Sequence, residues 1–437
     1  MHSGKPITRQ IFQETLAALD IPSVIQRKLA LDRNSLLLES GAVLLPDQAP
    51  LFVVAIGKAA HAMVAGLRDL LPEKYKFHGV VAAPTPPSSA IGGLQYFVAG
   101  HPNPNQGSWQ AAEAILALLR HTGERSLVFF LLSGGGSALT ELPLIPAVSL
   151  EDLQAVNHAL VTCGAPIETM NTVRRHFSAI KGGRLAAAAA LATKVTLAIT
   201  DVPPGKEHAL ASGPTVPDPS TAADVHRILD EYRLHERFPG NVVSWLHEGG
   251  MPETPKPGDP AFRNAHFMLL LGMYDLFHAA HHAAESHGYL TCCDNSTDDW
   301  PVGKAAETLL QKLEEWQREN PGRRVAIIAD GELSSPVRGN GLGGRNSAFV
   351  LACVEKIAGR KITVLSAGTD GIDGNSPGAG AVADGDTLNR ASQLGMQCGD
   401  YFQRSDAYTF FAKLDDAIVT GPTGNNLRDL RILLAEP

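Results

Sequence analysis

The chain has 437 residues, of which 44% are hydrophobic and 19% are charged, and its formal net charge at pH 7 is −8. This length exceeds what one core usually holds, so two domains are expected, and the acidic balance argues against a nucleic-acid-binding surface. The N-terminus lacks the apolar core of a signal peptide, and no run approaches the ~20 apolar residues of a membrane span, which predicts a cytoplasmic protein with no membrane partner. The cysteines form no CxxC pair, which predicts reduced thiols.

Short apolar runs recur along the chain, and each is followed by glycine or a polar residue. These runs are LFVVAIG, SLVFFLLS, KVTLAIT, RRVAIIAD and ITVLSAG. Helical patterns such as KAAHAMVAGLRDLL and QAAEAILALLRH lie between them. Strands that alternate with helices predict an α/β fold with mostly parallel sheets. Because such sheets bind ligands beyond the carboxyl ends of their strands, the residues after each run are the candidate site.

Lys58 follows the first of these runs, in AIGKAAHAM, and stands where a helix is predicted to begin. A lysine in the first helical turn opposes the helix dipole. We therefore expect Lys58 to serve an anion held at the end of this strand, although a solvated helix lysine is the alternative.

Three glycines interrupt VFFLLSGGGSALTELP, residues 128–143. Glycine lets backbone N–H groups approach a ligand, so this turn is predicted to hold phosphate. A tight crossover without a ligand is the alternative. Neither the dinucleotide fingerprint GxGxxG nor the Walker pattern is present. The candidate phosphate ligands are Ser133, Gly134, Gly135, Gly136 and Ser137.

A basic segment follows in TMNTVRRHFSAIKGGRLA, where Lys181 and Arg184 are candidate anion-binding residues. Asp201 comes directly after the run KVTLAIT, and a carboxylate at a strand end could hold Mg²⁺. The later segment ASGPT, residues 211–215, is predicted to form a second backbone nest.

A domain boundary is predicted in GGMPETPKPGDP, residues 249–260, because its prolines and glycines cannot continue a helix or a central strand. The expected domains are therefore 1–248 and 249–437. The end of the chain, GPTGNNLRDLRILLAEP, is predicted to be a glycine-rich loop and a last helix that packs on either domain.

The second half adds acids and one arginine. Glu332 follows a strand and is a candidate Mg²⁺ ligand. Arg345 and Asn346 stand at a predicted helix start after GLGG, where a guanidinium can bind carboxylate or phosphate, and Asn346 is a candidate substrate- or nucleotide-binding residue. Asp370 and Asp373 lie in the loop SAGTDGIDGNSPGAGA, one to accept a substrate proton and the other to hold Mg²⁺.

These motifs together resemble the glycerate 2-kinase family, also called the MOFRL family. The resemblance lies in IGKAA, LLSGGGSAL, TMNTVRRHFSAIKGGRLA, ASGPTVPDPST, GLGGRNSAFVL, AGTDGIDG and GPTGNNLRDL, which cover most of the chain in the family's order. It implies a Rossmann-like α/β domain, a second α/β domain of unusual topology, and an active site in the cleft between them.

The resemblance also implies phosphorylation of D-glycerate at its 2-hydroxyl, with ATP and Mg²⁺, and it places the family's active-site lysine and arginine at Lys58 and Arg345. On this hypothesis Lys58 stabilises the transferring phosphoryl group, Arg345 anchors the glycerate carboxylate or the transition-state charge, and Asp370 or Asp373 is the base. A homo-oligomer is compatible with the sequence, which does not fix the oligomeric state.

Two other functions remain open from the sequence. A hydroxypyruvate reductase would use NAD(P)H, and the missing dinucleotide fingerprint counts against it. A non-catalytic sugar-phosphate sensor would bind anions without turnover.

Overall fold

The computed structural model describes residues 4–46, 50–145, 148–200, 202, 205–249, 251–425 and 427–437. The chain divides into two units. The parallel-sheet unit comprises Ile21–Leu271, and the mixed-sheet unit comprises Met1–Asp20 together with Gly272–Pro437. Both contain helices and a main sheet, so the predicted α/β class is confirmed. None of the helices in the described ranges combines the length and apolarity that a bilayer span requires.

The strands are numbered in chain order through the described residues. They are β1 (Ala30–Asp32), β2 (Ser35–Leu38), β3 (Gly41–Leu44), β4 (Leu51–Ile56), β5 (Phe77–Ala83), β6 (Leu94–Val98), β7 (Leu127–Leu132), β8 (Thr193–Ile199), β9 (Ala265–Leu271), β10 (Leu290–Cys293), β11 (Val325–Asp330), β12 (Ile362–Gly368), β13 (Gly380–Asp384), β14 (Ala417–Ile418) and β15 (Asp429–Ala435).

The α-helices are numbered in the same way. They are α1 (Lys5–Ala18), α2 (Ile21–Lys28), α3 (Ala60–Leu70), α4 (Gln106–Leu119), α5 (Gly136–Leu139), α6 (Leu150–Thr162), α7 (Ile167–Phe177), α8 (Arg184–Ala188), α9 (Ala222–Glu231), α10 (Gly240–Gly249), α11 (Met273–Ser286), α12 (Val302–Glu319), α13 (Arg345–Val354), α14 (Thr387–Gln393), α15 (Cys398–Gln403) and α16 (Ala407–Lys413). Short 3₁₀ turns span Glu207–Ser212, Leu234–Glu236 and Pro260–Phe262.

The main sheet of the parallel-sheet unit is hydrogen-bonded in the order β6-β5-β4-β7-β8-β9, and all of these pairs are parallel. The central strands β4 and β7 are buried along their whole length, which explains why their sequences are continuous apolar runs. The chain builds outward from this pair in opposite directions. Their carboxyl ends therefore form the topological switch point where open α/β sheets bind ligands.

The sheet of the mixed-sheet unit has the order β10-β11-β15-β12-β13-β14. The β10–β11 pair is parallel and the other pairs are antiparallel. The last segment of the chain is the strand β15, so the predicted last helix is wrong. All seven residues of β15 are buried between β11 and β12, and an apolar run of this length does not distinguish a strand from a buried helix.

The division of the chain differs in position from the expected 248/249 boundary. Strand β9 pairs with β8, so the parallel sheet continues to Leu271. The proline-rich segment packs within this unit, where the Thr254 hydroxyl donates to Asp218 at 3.0 Å. Helix α1 joins the mixed-sheet unit, because Lys5 donates to Asp416 at 2.8 Å and helix α1 packs on α11. These contacts join residues far apart in sequence, so local composition does not reveal them.

Candidate active site

The turns after β4 and β7 are bonded to each other at the switch point. The Lys58 N–H donates to the Gly134 carbonyl at 3.0 Å, and the Ala59 N–H donates to the Ser133 hydroxyl at 3.0 Å. Gly57 has a φ of +132°, and a Cβ there would lie 2.1 Å from the Ser133 hydroxyl oxygen. The two turns therefore close on each other only because residue 57 is glycine.

Lys58 and Ser133, two predicted site residues of this region, differ in burial and in their contacts. Lys58 is half-buried in the turn at the end of β4. Ser133 is wholly buried, and its hydroxyl accepts the Ala59 hydrogen bond. Ser133 was expected to cradle phosphate directly. In the structure its side chain ties the turns together, because the chain reverses close against β4.

The remainder of the glycine turn faces a histidine and a second loop. Gly135 has a φ of +83°, and a Cβ there would lie 2.9 Å from the His101 ring. The Ser137 hydroxyl lies 3.0 Å from the Ser212 hydroxyl. Loss of hydration and then the positive charge of Lys58 lower the pKa of His101. Sequence reasoning missed His101, although it follows strand β6 of the same sheet and that position was the available signal.

The loop around Ser212 is strained. Ala211, Ser212 and Gly213 have successive φ values of +49°, +61° and +65°. The Gly182 and Gly183 N–H groups donate to the carbonyls of Ser212 and Gly213 at 3.0 and 2.7 Å. Non-glycine residues in the left-handed region cluster at functional sites, so this backbone supports the prediction of a second nest in residues 211–215.

Lys181 and Arg184 differ in burial and in the groups that they contact. Lys181 is buried and its ammonium contacts the Glu141 carboxylate, which also accepts from the Ser178 hydroxyl at 2.5 Å. Burial lowers the pKa of Lys181 to about 7, whereas the adjacent carboxylate favours the charged ammonium. The Lys181 charge is thus paired internally. Arg184 is partly exposed, and its guanidinium donates to the Pro252 carbonyl at 3.5 Å.

A polar cavity of about 650 Å³ adjoins the glycine turn of the parallel-sheet unit. Gly135 and Ser137 line it together with Asn157 and Arg174. The Arg174 guanidinium donates to the Asn157 side chain at 3.2 Å, which holds its charge at the wall. The cavity therefore offers hydrogen-bond donors and a cation beside the predicted phosphate turn.

Arg345 is the first residue of α13 in the mixed-sheet unit, as predicted. Its guanidinium contacts Asp429, the first residue of β15, and lies 3.0 Å from the Glu332 carboxylate. Burial acts to lower the pKa of Arg345, but the hydrogen bond to Asp429 and the two negative charges outweigh it and raise that pKa. The guanidinium is therefore charged and fixed in orientation, with further N–H donors for a ligand.

Asp373 and Asn346 support the start of α13. The Asp373 carboxylate accepts hydrogen bonds from the N–H groups of Gly344, Asn346 and Ser347 at 3.1, 2.9 and 2.9 Å, and from the Ser347 hydroxyl at 2.6 Å. The buried Asn346 side chain accepts from the Ser366 hydroxyl at 2.6 Å. Asp373 was expected to act as the base or to hold Mg²⁺, and Asn346 was expected to bind substrate or nucleotide. The structure instead gives them positioning roles, because the helix start is buried and its N–H groups need acceptors.

Asp370 is half-buried and accepts the Ile372 N–H at 3.0 Å. Its neighbour Thr369 donates its N–H and its hydroxyl to the Arg428 carbonyl at 3.1 and 2.8 Å. Arg428 has a φ of +125°, and its side chain contacts Asp298. Residues 428 and 429 therefore connect the Asp370 loop with Arg345. Sequence reasoning missed this connection because it expected a helix there.

Of the two predicted magnesium ligands at strand ends, Glu332 and Asp201, only Glu332 lies in the described ranges. Glu332 is bonded to Arg345, and Asp201 lies outside the described residues. The described residues contain no group of three or more His, Cys, Asp or Glu side chains that could hold a metal ion.

The strand order, the glycine turns at the switch point and the fixed cations are features of an α/β enzyme that acts on anionic small molecules. Residues 7–247 match the model of a domain of unknown function, DUF4147, and residues 325–429 match the MOFRL family. The chain is 33% identical to a D-glycerate 2-kinase of Thermotoga maritima, over 87% of this chain and 89% of that protein.

Two further similarities agree with this match. A putative hydroxypyruvate reductase of Agrobacterium vitis is 35% identical over 99% of this chain and 94% of its own length. The crystal structure of a glycerate kinase from Thermotoga maritima superposes with a TM-score of 0.85 at 31% identity, covering 99% of each chain. The chain belongs to the glycerate kinase family that carries the DUF4147 and MOFRL domains, which confirms the resemblance seen in its motifs.

Proposed function

We propose that the protein transfers the γ-phosphoryl group of ATP to the 2-hydroxyl of D-glycerate, giving 2-phosphoglycerate and ADP. The observation that carries this proposal is Lys58 beside the triple-glycine turn at the switch point of the parallel sheet, in a chain 33% identical to a D-glycerate 2-kinase. Phosphoryl transfer depends mainly on positioning and charge stabilisation, and the turn and the lysine supply both.

Arg345 is the proposed anchor for the glycerate carboxylate. Asp429 and Glu332 hold its guanidinium from one side, so the orientation of the remaining N–H donors is set before substrate binds. This preorganisation reduces the entropy that must be lost when the substrate is positioned.

Asp370 is the proposed base. The 2-hydroxyl oxygen attacks the γ-phosphorus, the bond to the ADP oxygen breaks, and the hydroxyl proton passes to the Asp370 carboxylate. Asp370 is half-buried, whereas Asp373 is committed to four hydrogen bonds, so the geometry favours Asp370. Mg²⁺ is proposed to enter with ATP, because kinases hold it through phosphate oxygens and one or two carboxylates.

The test is a comparison of single variants with exposed controls in the same unit. Lys58→Ala and Arg345→Ala should each lower kcat/KM for glycerate by ~10²–10³, because the first removes a donor to developing charge and the second removes the anchor that positions the substrate carboxylate. Lys74→Ala and Arg318→Ala, at exposed positions, should retain wild-type values. Phosphorus NMR of the product formed from ATP, Mg²⁺ and D-glycerate identifies the phosphorylated hydroxyl. Wild-type kcat/KM in both active-site variants would refute the role assignment.

A second candidate is hydroxypyruvate reduction, which the name of the Agrobacterium vitis relative favours. A dinucleotide fingerprint would begin in the turn after β4. That turn reads Gly57-Lys58-Ala59-Ala60 and so lacks the second glycine of GxGxxG, which counts against the reductase. Consumption of NADH with hydroxypyruvate, in the absence of ADP release with glycerate, would establish the reductase. Ligand binding by calorimetry without ATP hydrolysis would instead indicate a sugar-phosphate sensor.

A further inference from the structure

The mixed-sheet unit contains a cavity of about 310 Å³ whose walls are mostly apolar. It lies among the start of α12, the segment Ser334–Arg338, the turn before α13 and the region of α15. Apolar and aromatic side chains form much of its lining, and they are Val302, Val337, Ala348, Tyr401 and Phe402. The volume is at the lower end of the roughly 300–1,000 Å³ of small-molecule sites, so it suits a single flat ring system.

Val337 is the most informative residue of this lining. Its side chain is 82% exposed, although it stands beside a cavity with other apolar walls. Exposure of an apolar side chain is unfavourable in water, and a ring placed in the cavity would cover it. A ring bound in the cavity would therefore bury the apolar surface of Val337, which favours binding.

Cations surround the same cavity. Lys304 and Arg338 are exposed members of its lining. Lys304 lies 4.0 Å from the centre of the Trp300 ring, which places its ammonium near the start of α12. Helix α12 has 18 residues, so its N-terminus adds a favourable potential for anions. An apolar interior with positive groups around it complements a base that carries phosphates.

The cavity is also continuous with the proposed catalytic turn. Gly343 and Gly344 line it, and Arg345 follows them directly. A ligand whose ring occupies the cavity can therefore extend toward the Arg345 turn along one chain segment. The cavity beside Gly135 has a larger polar share in its walls, to which Gln154, Asn157 and Arg174 contribute. The polar groups and the Arg174 charge of that cavity suit an anionic molecule better than a purine ring.

We propose that the cavity of the mixed-sheet unit binds the adenine base of the nucleotide, with the phosphates directed toward the turn that precedes Arg345. This inference rests on the proposed kinase function and adds to it the unit that recognises the base.

The test uses one substitution in each cavity. Val337→Asp places a charge in the apolar wall, and its high exposure means that the folded chain tolerates it. Val161→Asp is the matched control, because Val161 is also an exposed valine, at 61%, and lines the polar cavity. Val337→Asp should raise the Kd for ADP, measured by calorimetry, and the KM for ATP by about tenfold or more, with the KM for glycerate unchanged. Val161→Asp should leave the Kd for ADP unchanged.

A second measurement does not depend on turnover. Photolysis with 8-azidoadenosine triphosphate should label peptides within residues 334–348 or 401–407. Label confined to residues 101–174, or a tenfold weaker Kd for ADP in Val161→Asp but not in Val337→Asp, would overturn the assignment while kinase turnover by the wild type remained. Absence of phosphoryl transfer from ATP to glycerate by the wild type would instead overturn the proposed function. A wild type that binds no ADP would overturn both.

Discussion

The two aspartates of the loop after β12 can be separated by one pair of substitutions. Asp373→Ala removes the acceptor of three backbone N–H groups and one hydroxyl at the start of α13. Asp373 is 2% exposed, so water does not replace the lost acceptor without rearrangement. Asp370→Ala removes a half-buried carboxylate that accepts the Ile372 N–H at 3.0 Å.

The two substitutions should differ in their effects on the free energy of unfolding and on kcat. Each buried N–H left without an acceptor costs about 1–3 kcal/mol. The Gly344 N–H keeps the Ser347 hydroxyl as acceptor, so the two buried N–H groups of Asn346 and Ser347 cost about 2–6 kcal/mol before relaxation. That is a large part of the roughly 5–15 kcal/mol by which a domain is usually stable. Asp370→Ala should cost about 1 kcal/mol of stability. Its loss of kcat should instead reach ~10²–10⁴, the contribution of a general base.

Urea unfolding and steady-state kinetics on both variants give the result. We expect a strongly lowered unfolding midpoint for Asp373→Ala, and a near wild-type midpoint with a large loss of kcat for Asp370→Ala. The reasoning would be refuted if Asp373→Ala kept the wild-type midpoint and lost turnover, because its carboxylate would then act on substrate. It would also fail if Asp370→Ala retained kcat.

Three further outcomes are expected. Gly135→Ala forces a side chain into a left-handed turn at φ +83°, with a Cβ 2.9 Å from His101, so kcat/KM should fall at least about tenfold; an unchanged value would show that the turn does not bind phosphate. Glu141→Gln leaves the buried Lys181 ammonium uncompensated and should lower stability by about 3–5 kcal/mol in urea unfolding, and a loss under about 1 kcal/mol would contradict the buried pair. Burial raises the pKa of Asp330 to about 6, so the folded state binds a proton that the unfolded chain has lost, and stability falls as the pH rises from about 4 to about 6. Asp330→Asn should remove the part of this decline that lies between urea midpoints at about pH 5 and about pH 8, which is about 1.4 kcal/mol, and an unchanged slope would contradict it.

Part of the site was predictable because its signals are local. The strands β4 and β7 are apolar runs that end where glycine begins, and parallel strands place those ends at one edge of a sheet. Lys58 and the glycine turn were therefore expected together, and the Lys58 N–H bond to Gly134 shows them together. Arg345 was likewise predicted at the start of α13 from the glycines before it.

The misplaced residues share a different cause. Ser133 and Asn346 were predicted to touch ligand because they are polar residues beside glycine-rich turns. In the structure their side chains bond to Ala59 and Ser366, which lie on other segments of the chain. Residue type and spacing indicate where a hydrogen-bonding group stands but not which partner satisfies it.

The sequence by itself determined the α/β class, the central strands and the turns that carry Lys58 and Arg345, because these depend on residues near one another along the chain. Only the tertiary structure decided which charges are paired and where the units divide. Arg345 contacts Asp429, which is 84 positions away in the sequence. Strand β9 lies after the proline-rich segment that was expected to end the first domain, yet it pairs with β8 of that domain's sheet. Such contacts depend on packing between segments that are distant in sequence, so the local pattern of residue types does not predict them.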